Sequence, residues 1–427
     1  MYILYSLLLA VALVVSLPWW LLRLGKYHAG LRERLGVVPD RLRGAAKPGG
    51  VWIHAVSVGE VLAVSRLVSE LEENFPEQPV FLSTTTATGQ RLARERFGSA
   101  RVFYAPLDLG PAVRAYMNLL RPRLLILAET EFWPNLLRLA RKRGAAVAIV
   151  NARISDRSFP RYRRFRWFFS RVLSEVDVFL AQTDVDAQRL REIGAATERV
   201  RVSGNLKFDV RVSSPSPLAQ ALRRAIPADS EVMVCGSTAE GEEEMLLEAF
   251  QAVLEKYPSA IMVLAPRHPE RFDRVAGQVA TQGLALVRRS AWTTTASPLM
   301  GCAFLLDSVG ELAAVYALAT FAFVGGSLVD QVGGHNILEP AQYGVPILTG
   351  AQTFNFREIV NIFQEGGGIV TVTPANLAGE CLRLLGDREE RRKLGEAARE
   401  LFLKNSGATA RTLQTLQPLL RRNFPTP

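Results

Sequence analysis

The chain opens on an uncharged apolar run, residues 2–22, interrupted by Ser6, Ser16 and Pro18 alone. As a helix rising about 1.5 Å per residue it measures about 31 Å, the thickness of a bilayer's hydrocarbon core. Trp19 and Trp20 close the run, where interfacial aromatics are expected. A cleaved signal peptide would show a basic stretch before the run and a small-residue cleavage site after it, and neither is seen. Basic residues follow instead: Arg23, Lys26, Arg32, Arg34, Arg41, Arg43 and Lys47. The pattern predicts a single-pass N-terminal anchor with the bulk of the protein on the cytoplasmic side of the membrane.

Beyond the anchor, short β-rich apolar runs alternate with amphipathic segments of helical period. Strands are expected at 51–56, 79–83, 124–128, 147–150 and 178–181, with helices over 61–74 and 89–97. Such alternation means a parallel sheet covered on both faces. Pro and Ser interrupt it over 211–230, as in a linker. It resumes with strands at 232–235, 261–265, 284–287, 304–306, 321–324, 345–348 and 369–372, then helix over most of 377–420. The expected organisation is α/β, an anchor followed by two doubly wound Rossmann-like domains. The anchor covers 1–22, an N-terminal α/β domain 23–210, a linker 211–230 and a C-terminal α/β domain 231–427. Domains of this kind bind ligands at the carboxyl ends of their strands, which predicts a cleft between the two.

Composition changes this picture only a little. With 427 residues the chain exceeds one ordinary core, which agrees with two domains. The net charge of +10 favours a polyanionic partner: nucleic acid, anionic lipid or a phosphorylated substrate. Cys235, Cys302 and Cys381 are scattered and odd in number, so they read as buried small residues in a reducing compartment. The four histidines are equally dispersed, and no metal site is assigned. A stretch at 157–171 interleaves six arginines with Phe159, Tyr162, Phe165, Trp167, Phe168 and Phe169. That mixture suits nucleic-acid stacking, a lipid interface, or a helix that packs its aromatics inward. The anchor favours lipid and argues against nucleic acid.

Candidate chemistry clusters at the predicted strand ends. His54-Ala-Val-Ser-Val-Gly-Glu60 closes the first strand, with Ser57 and Gly59 permitting a tight turn and Glu60 in the first helical turn. Glu60 is either a helix-dipole partner or a general base. Ser83-Thr-Thr-Thr-Ala-Thr-Gly-Gln90 is either a sugar- or phosphate-binding loop or a self-capping one. Glu129 and Glu131 in Ala128-Glu-Thr-Glu-Phe-Trp-Pro-Asn135 end an apolar strand and call for a cation, with Lys207 and Arg153 available. In the second half, Gly236-Ser-Thr is a short phosphate-type turn. The glycine-rich run 325–339 offers backbone amides to a phosphate and Glu339 to ribose hydroxyls. Its glycines are not GxGxxG and do not follow a first strand, which argues against a nicotinamide dehydrogenase.

Taken in order, LRERLG, HAVSVGE, TTTATG, ETEFWPN, NARIS, GNLKFD, APRHPERF, DSVGEL, FVGGSLV and GGHNILEPA resemble the Kdo (3-deoxy-D-manno-octulosonic acid) transferases of lipopolysaccharide synthesis over nearly the whole chain. The resemblance implies the glycosyltransferase B fold, with a lipid A precursor (lipid IVA) on the N-terminal domain and CMP-Kdo on the C-terminal one. It implies Glu60 as catalytic base, with Glu131 and Lys207 supporting the transition state. It further implies CMP-Kdo contacts from Arg267, His268, Val309, Gly310, Glu311, Asn336, Ile337, Leu338 and Glu339, that of Val309 through backbone. Inverting transfer needs no cofactor and, with CMP as leaving group, demands no metal. The basic segments would meet anionic membrane lipids. Competing readings are a UDP-sugar transferase of similar architecture and a membrane-tethered binding protein without catalysis.

Overall fold

A computed structural model describes residues 1–22, 30–209, 216–293 and 298–421, and side chains from residue 16 to 22 are not described. Arg23, Lys26 and the first part of the expected linker lie outside the described residues. The chain divides into two compact units, residues 1–209 with 406–427, and residues 210–405.

The first unit is built on seven parallel strands: β1 (Val51–His54), β2 (Val80–Thr84), β3 (Val102–Tyr104), β4 (Leu124–Ala128), β5 (Ala146–Ala152), β6 (Val178–Ala181) and β7 (Val200–Val202). Their spatial order is β3-β2-β1-β4-β5-β6-β7, the reversal at β1 and β4 being the switch point of a doubly wound sheet. The first six strands are buried throughout, and alternate residues feed two separate cores. Trp52, Leu125 and Ile149 face one core; Val51, Ile53 and Val150 face the other. Double-sided burial is why these strands read as unbroken apolar runs.

The helices that carry the unit's loops are α1 (Tyr2–Leu22), α2 (Val58–Asn74), α3 (Ala87–Phe97), α4 (Gly110–Leu120), α5 (Pro134–Lys142), α6 (Phe159–Arg164) and α7 (Arg166–Leu173). Helix α2 starts three residues earlier than its apolar period suggests. Gly59 lies inside its first turn, where a Cβ would meet Ser57 Oγ at an ordinary 3.9 Å, so the turn itself does not require glycine there.

The second unit repeats the plan with β8 (Val232–Thr238), β9 (Ile261–Pro266), β10 (Ala285–Arg288), β11 (Cys302–Leu305), β12 (Phe321–Val324), β13 (Ile347–Thr349) and β14 (Val370–Thr371). These are ordered β10-β11-β9-β8-β12-β13-β14 and again parallel. Its principal helices are α8 (Pro217–Ala225), α9 (Glu242–Lys256), α10 (Phe272–Thr281), α11 (Arg357–Glu365), α12 (Leu377–Gly386) and α13 (Arg388–Asn405).

Two expected boundaries differ. Residues 217–225, within the expected linker, form α8, whose Leu218 and Leu222 are buried against β8 and β9. Helix α14 (Ala408–Arg421), expected in the C-terminal domain, belongs to the first unit. Its Leu413, Leu416, Leu419 and Leu420 complete the core that also holds Val51 and Ile53. Asp209 caps its start by accepting from the Gly407 N–H (2.6 Å) and from Thr409 N–H, which accounts for the aspartate ending GNLKFD.

Among the described residues no helix is long and apolar enough to cross a membrane. The expected single-pass span over 2–22 is therefore not shown, and its last seven side chains lie outside the described residues. Helix α1 docks its first turns on the first unit. Tyr2 donates to Glu175 (3.0 Å), Asn135 donates to Ser6 Oγ (3.0 Å), and the Tyr5 and Phe168 rings are 6.3 Å apart. Ile3, Leu4, Leu7, Leu8, Val11, Val14 and Val15 stay exposed.

Candidate active site

In the first unit the loops after β1 and β4 and the turn after β7 bring Glu60, Glu129, Glu131 and Lys207 together at the carboxyl edge of the sheet. Ser57 is the N-cap of α2. Its hydroxyl accepts from the Glu60 N–H (3.4 Å) and donates to Glu60 Oε1 (3.0 Å), while the Val56 N–H donates to Oε2 (2.7 Å). This is close to a capping box, so the modest reading of Glu60 as a helix-start carboxylate describes its local bonding. Its surroundings add something that role does not need. The residue is 7% exposed, and burial pushes its carboxyl up to about 7. The Val56 N–H and Ser57 hydroxyl oppose that rise, and the negative charges of Glu129 and Glu131 add to it. A carboxylate poised near neutrality is suited to take a proton.

The TTTATG loop braces this turn. Thr86 caps α3 by accepting from the Gly89 N–H (3.1 Å), and the N–H groups of Thr85 and Thr86 donate to Val56 O at 3.1 and 3.0 Å. A Cβ on Gly89 would stand 3.2 Å from the Ser57 carbonyl carbon and 2.8 Å from Thr86 Oγ1, so glycine permits this approach. The loop thus caps its own helix.

Glu129 sits at φ 56°, a left-handed conformation costing a glutamate on the order of 1 kcal/mol. The kink takes the chain out of β4 and leaves Glu129 Oε1 3.3 Å from Lys207 Nζ. Lys207 thus pairs with Glu129, whereas Glu131 accepts from the Trp133 indole N–H at 2.8 Å. Burial holds the Glu131 carboxyl above its ordinary value, with the Trp133 bond opposing and Glu129 adding.

In the second unit, Arg267 and His268 follow β9, Val309–Glu311 follow β11, and Asn336–Glu339 follow β12, all at one edge of the parallel sheet. Arg267 and His268 lie near enough to His335 to help burial push that imidazole down to about 4. Burial raises the Glu339 carboxyl, while Arg267 and a hydrogen bond from Asn336 oppose the rise. Glu311 is bound to Arg289 by two 3.2 Å contacts. The Val309 side chain is 79% exposed and Gly310 has φ 89°. Ile337 and Leu338 are fully buried, and the Leu338 N–H donates to Asn336 Oδ1 (3.1 Å).

One expected anion site is already filled. Glu242, buried on α9, accepts from the N–H groups of Gly326 (2.7 Å), Ser327 (2.8 Å) and Leu328 (2.9 Å), as well as Ala239 (2.8 Å). Those amides of the 325–339 run are not free for a phosphate. Sequence reading missed Glu242, His335, His54 and Trp133. The two glutamates following Glu242 mask it as part of an acidic helix start, whereas His54 and Trp133 stand inside motifs already singled out for other residues. Among the described residues no group of three or more His, Cys, Asp or Glu is placed to hold a metal.

Two parallel-sheet α/β units of this topology resemble the glycosyltransferase B fold. The fold is shared with UDP-GlcNAc 2-epimerase from Neisseria meningitidis (12% identical, TM-score 0.51, covering 86% of this chain and 100% of that one). A family profile described as 3-deoxy-D-manno-octulosonic-acid transferase (kdotransferase) matches residues 29–210. The 3-deoxy-D-manno-octulosonic acid transferase of Haemophilus influenzae is 36% identical over 93% of both chains. That of Bordetella pertussis is 36% identical over 96% of this chain and 98% of its own. The chain belongs to the Kdo transferase family and is a glycosyltransferase.

Proposed function

We propose that the enzyme moves Kdo from CMP-Kdo to a hydroxyl of a lipid A precursor in lipopolysaccharide synthesis, inverting the anomeric centre, with Glu60 as base. The observation that carries this reading is Glu60 itself, a buried carboxylate near neutrality beside Glu129–Lys207 and Glu131–Trp133. Glu60 takes the proton of the acceptor hydroxyl as its oxygen attacks the anomeric carbon from the face opposite CMP. The carbon–oxygen bond to CMP breaks, and its electron pair leaves with the phosphate. The sugar gains oxocarbenium character on the way, which nearby carboxylates stabilise. Lys207 offsets the charge of this acidic cluster and faces an anionic donor. On the second unit, Arg267, His268, Glu311, Asn336 and Glu339 with the backbone of 309–310 and 337–338 are read as the CMP-Kdo contacts.

The acceptor's class agrees with two features of the surface. The exposed apolar row of α1 offers membrane attachment, and Arg161, Arg163, Arg164 and Arg166 on α6 and α7 are exposed beside Trp167, itself 70% exposed. Phe132, Tyr162 and Phe169 pack together inward, with Tyr162 and Phe169 at 4.8 Å, so the aromatics of this segment serve both core and surface. We read the surface as meeting anionic lipids at the cytoplasmic face of the inner membrane.

The test is transfer from CMP-Kdo to a lipid A precursor by purified protein. Glu60→Gln should lower transfer by about a hundredfold or more with folding unchanged, since a positioned base supplies about 10²–10⁴. Full transfer by this variant removes Glu60 from the chemistry. Turnover with a UDP-sugar and none with CMP-Kdo removes the donor assignment.

A further inference from the structure

Glu131 stands on a loop between the left-handed kink at Glu129 and the start of α5, where no regular element fixes its side chain. What steadies it is the Trp133 indole N–H at 2.8 Å from Oε2. The Trp133 ring lies edge-on to that of His54, centroids 5.0 Å apart and planes at 76°. His54 is completely buried at the end of β1, and burial pushes its imidazole down to about 4, so it is neutral. Its Nδ1 is 2.9 Å from Ser83 Oγ on the adjacent strand, and that hydroxyl also accepts from the Trp52 indole N–H at 2.8 Å. Register places His54 beside Ser83 on β2 and Leu127 on β4. The support thus runs from Ser83 on β2 through His54 on β1 to Trp133 on the loop that follows β4.

We propose that Trp133 is a positioning residue for Glu131, its indole N–H holding the carboxylate in one orientation while His54, held by Ser83, fixes the indole. The inference rests on the reading of Glu131 as a support of the transition state. A carboxylate that stabilises a developing positive centre must be placed closely, and a misplacement of about 1 Å can cost about a hundredfold in rate. A buried histidine beside an aromatic ring is unremarkable packing by itself. Here the packing ends on a hydrogen bond to a carboxylate in the site, and an indole offers that bond with a rigid ring and only one donor. The charged and titratable groups facing Glu131 are Glu129, Glu60 and Tyr162, and Lys207 is paired with Glu129.

Trp133→Phe keeps the ring against His54 and removes the N–H. Benzothienylalanine at position 133 removes the N–H with the shape of the indole kept, and it decides the matter if the phenylalanine variant misfolds. Glu131→Gln is assayed beside them in the full-length chain. In the Trp133 variants kcat should fall about tenfold or more, while KM for CMP-Kdo and for the lipid acceptor changes less than about twofold. Loss of a donor to the charged form raises the Glu131 carboxyl further, so the acidic limb of kcat, set by Glu60 in the native enzyme, gains a second titrating group and steepens. Wild-type kcat in the folded variants overturns the inference. A loss shared by KM or by melting temperature marks Trp133 as packing and overturns it too. If Glu131→Gln transfers at the wild-type rate, the reading of Glu131 falls and the inference with it; if that variant is inactive and Trp133→Phe keeps the wild-type kcat, the inference alone falls.

Discussion

In the proposed mechanism Glu60 serves its helix and its reaction at once. Ser57 and the Val56 N–H fix the carboxylate, and burial withholds the solvent that would keep it ionised. The folded value of about 7 lies above the ordinary 4.5. A raised carboxyl stabilises the folded state relative to its ionised form most fully below about pH 4.5, and that contribution is lost as pH rises through about 7. Glu60→Gln does not titrate, so its melting temperature should gain on the native protein between pH 5 and 8. Thermal melts at the two pH values check this, and a constant difference contradicts it. Transfer by the native enzyme should fall as pH drops below about 7, because the base is then protonated. Of this site, Glu60, Glu131 and Lys207 were legible as residues at strand ends. Their partners were legible only in part: Lys207, offered as a cation for either carboxylate, binds Glu129, whereas the Trp133 bond to Glu131 was not foreseen. Partner choice depends on a left-handed kink that no residue spacing encodes.

At the scale of elements, the buried strands were readable because a sheet covered on both faces needs apolar residues at every position. Strands β3 and β7 were missed, being three residues each, β7 with its last two exposed. Helix α14 was readable as a helix but not as a member of the first unit. Its leucines make any apolar face look alike, and only Asp209 and the core around Val51 decide where it binds. Leu416 is fully buried there. Leu416→Ala should therefore destabilise the first unit by about 2–5 kcal/mol, read by denaturant or thermal unfolding. A change below about 1 kcal/mol means that α14 contributes little to that core.

For the whole molecule, two features act together: the exposed apolar row of α1 and the arginines of α6 and α7, on a chain of net charge +10. Deleting residues 1–22 should move the protein from the membrane fraction toward the soluble one, with residual binding to anionic vesicles that weakens as salt rises. Fractionation at low and high salt checks this. If the intact chain is fully soluble without detergent, the attachment is misread.

By itself the sequence determined the class of each unit and the family, because apolar periods and ordered motifs are local properties that survive without coordinates. It also singled out Glu60, Glu129, Glu131 and Lys207, which the fold brings near one another. Tertiary structure alone decided which of them meet, that Glu242 fills the amides expected for a phosphate, and that residues 406–427 return to the first unit. Each of these depends on contacts between segments far apart in the chain. Such contacts are set by which apolar face is left to cover and which buried donor still lacks an acceptor.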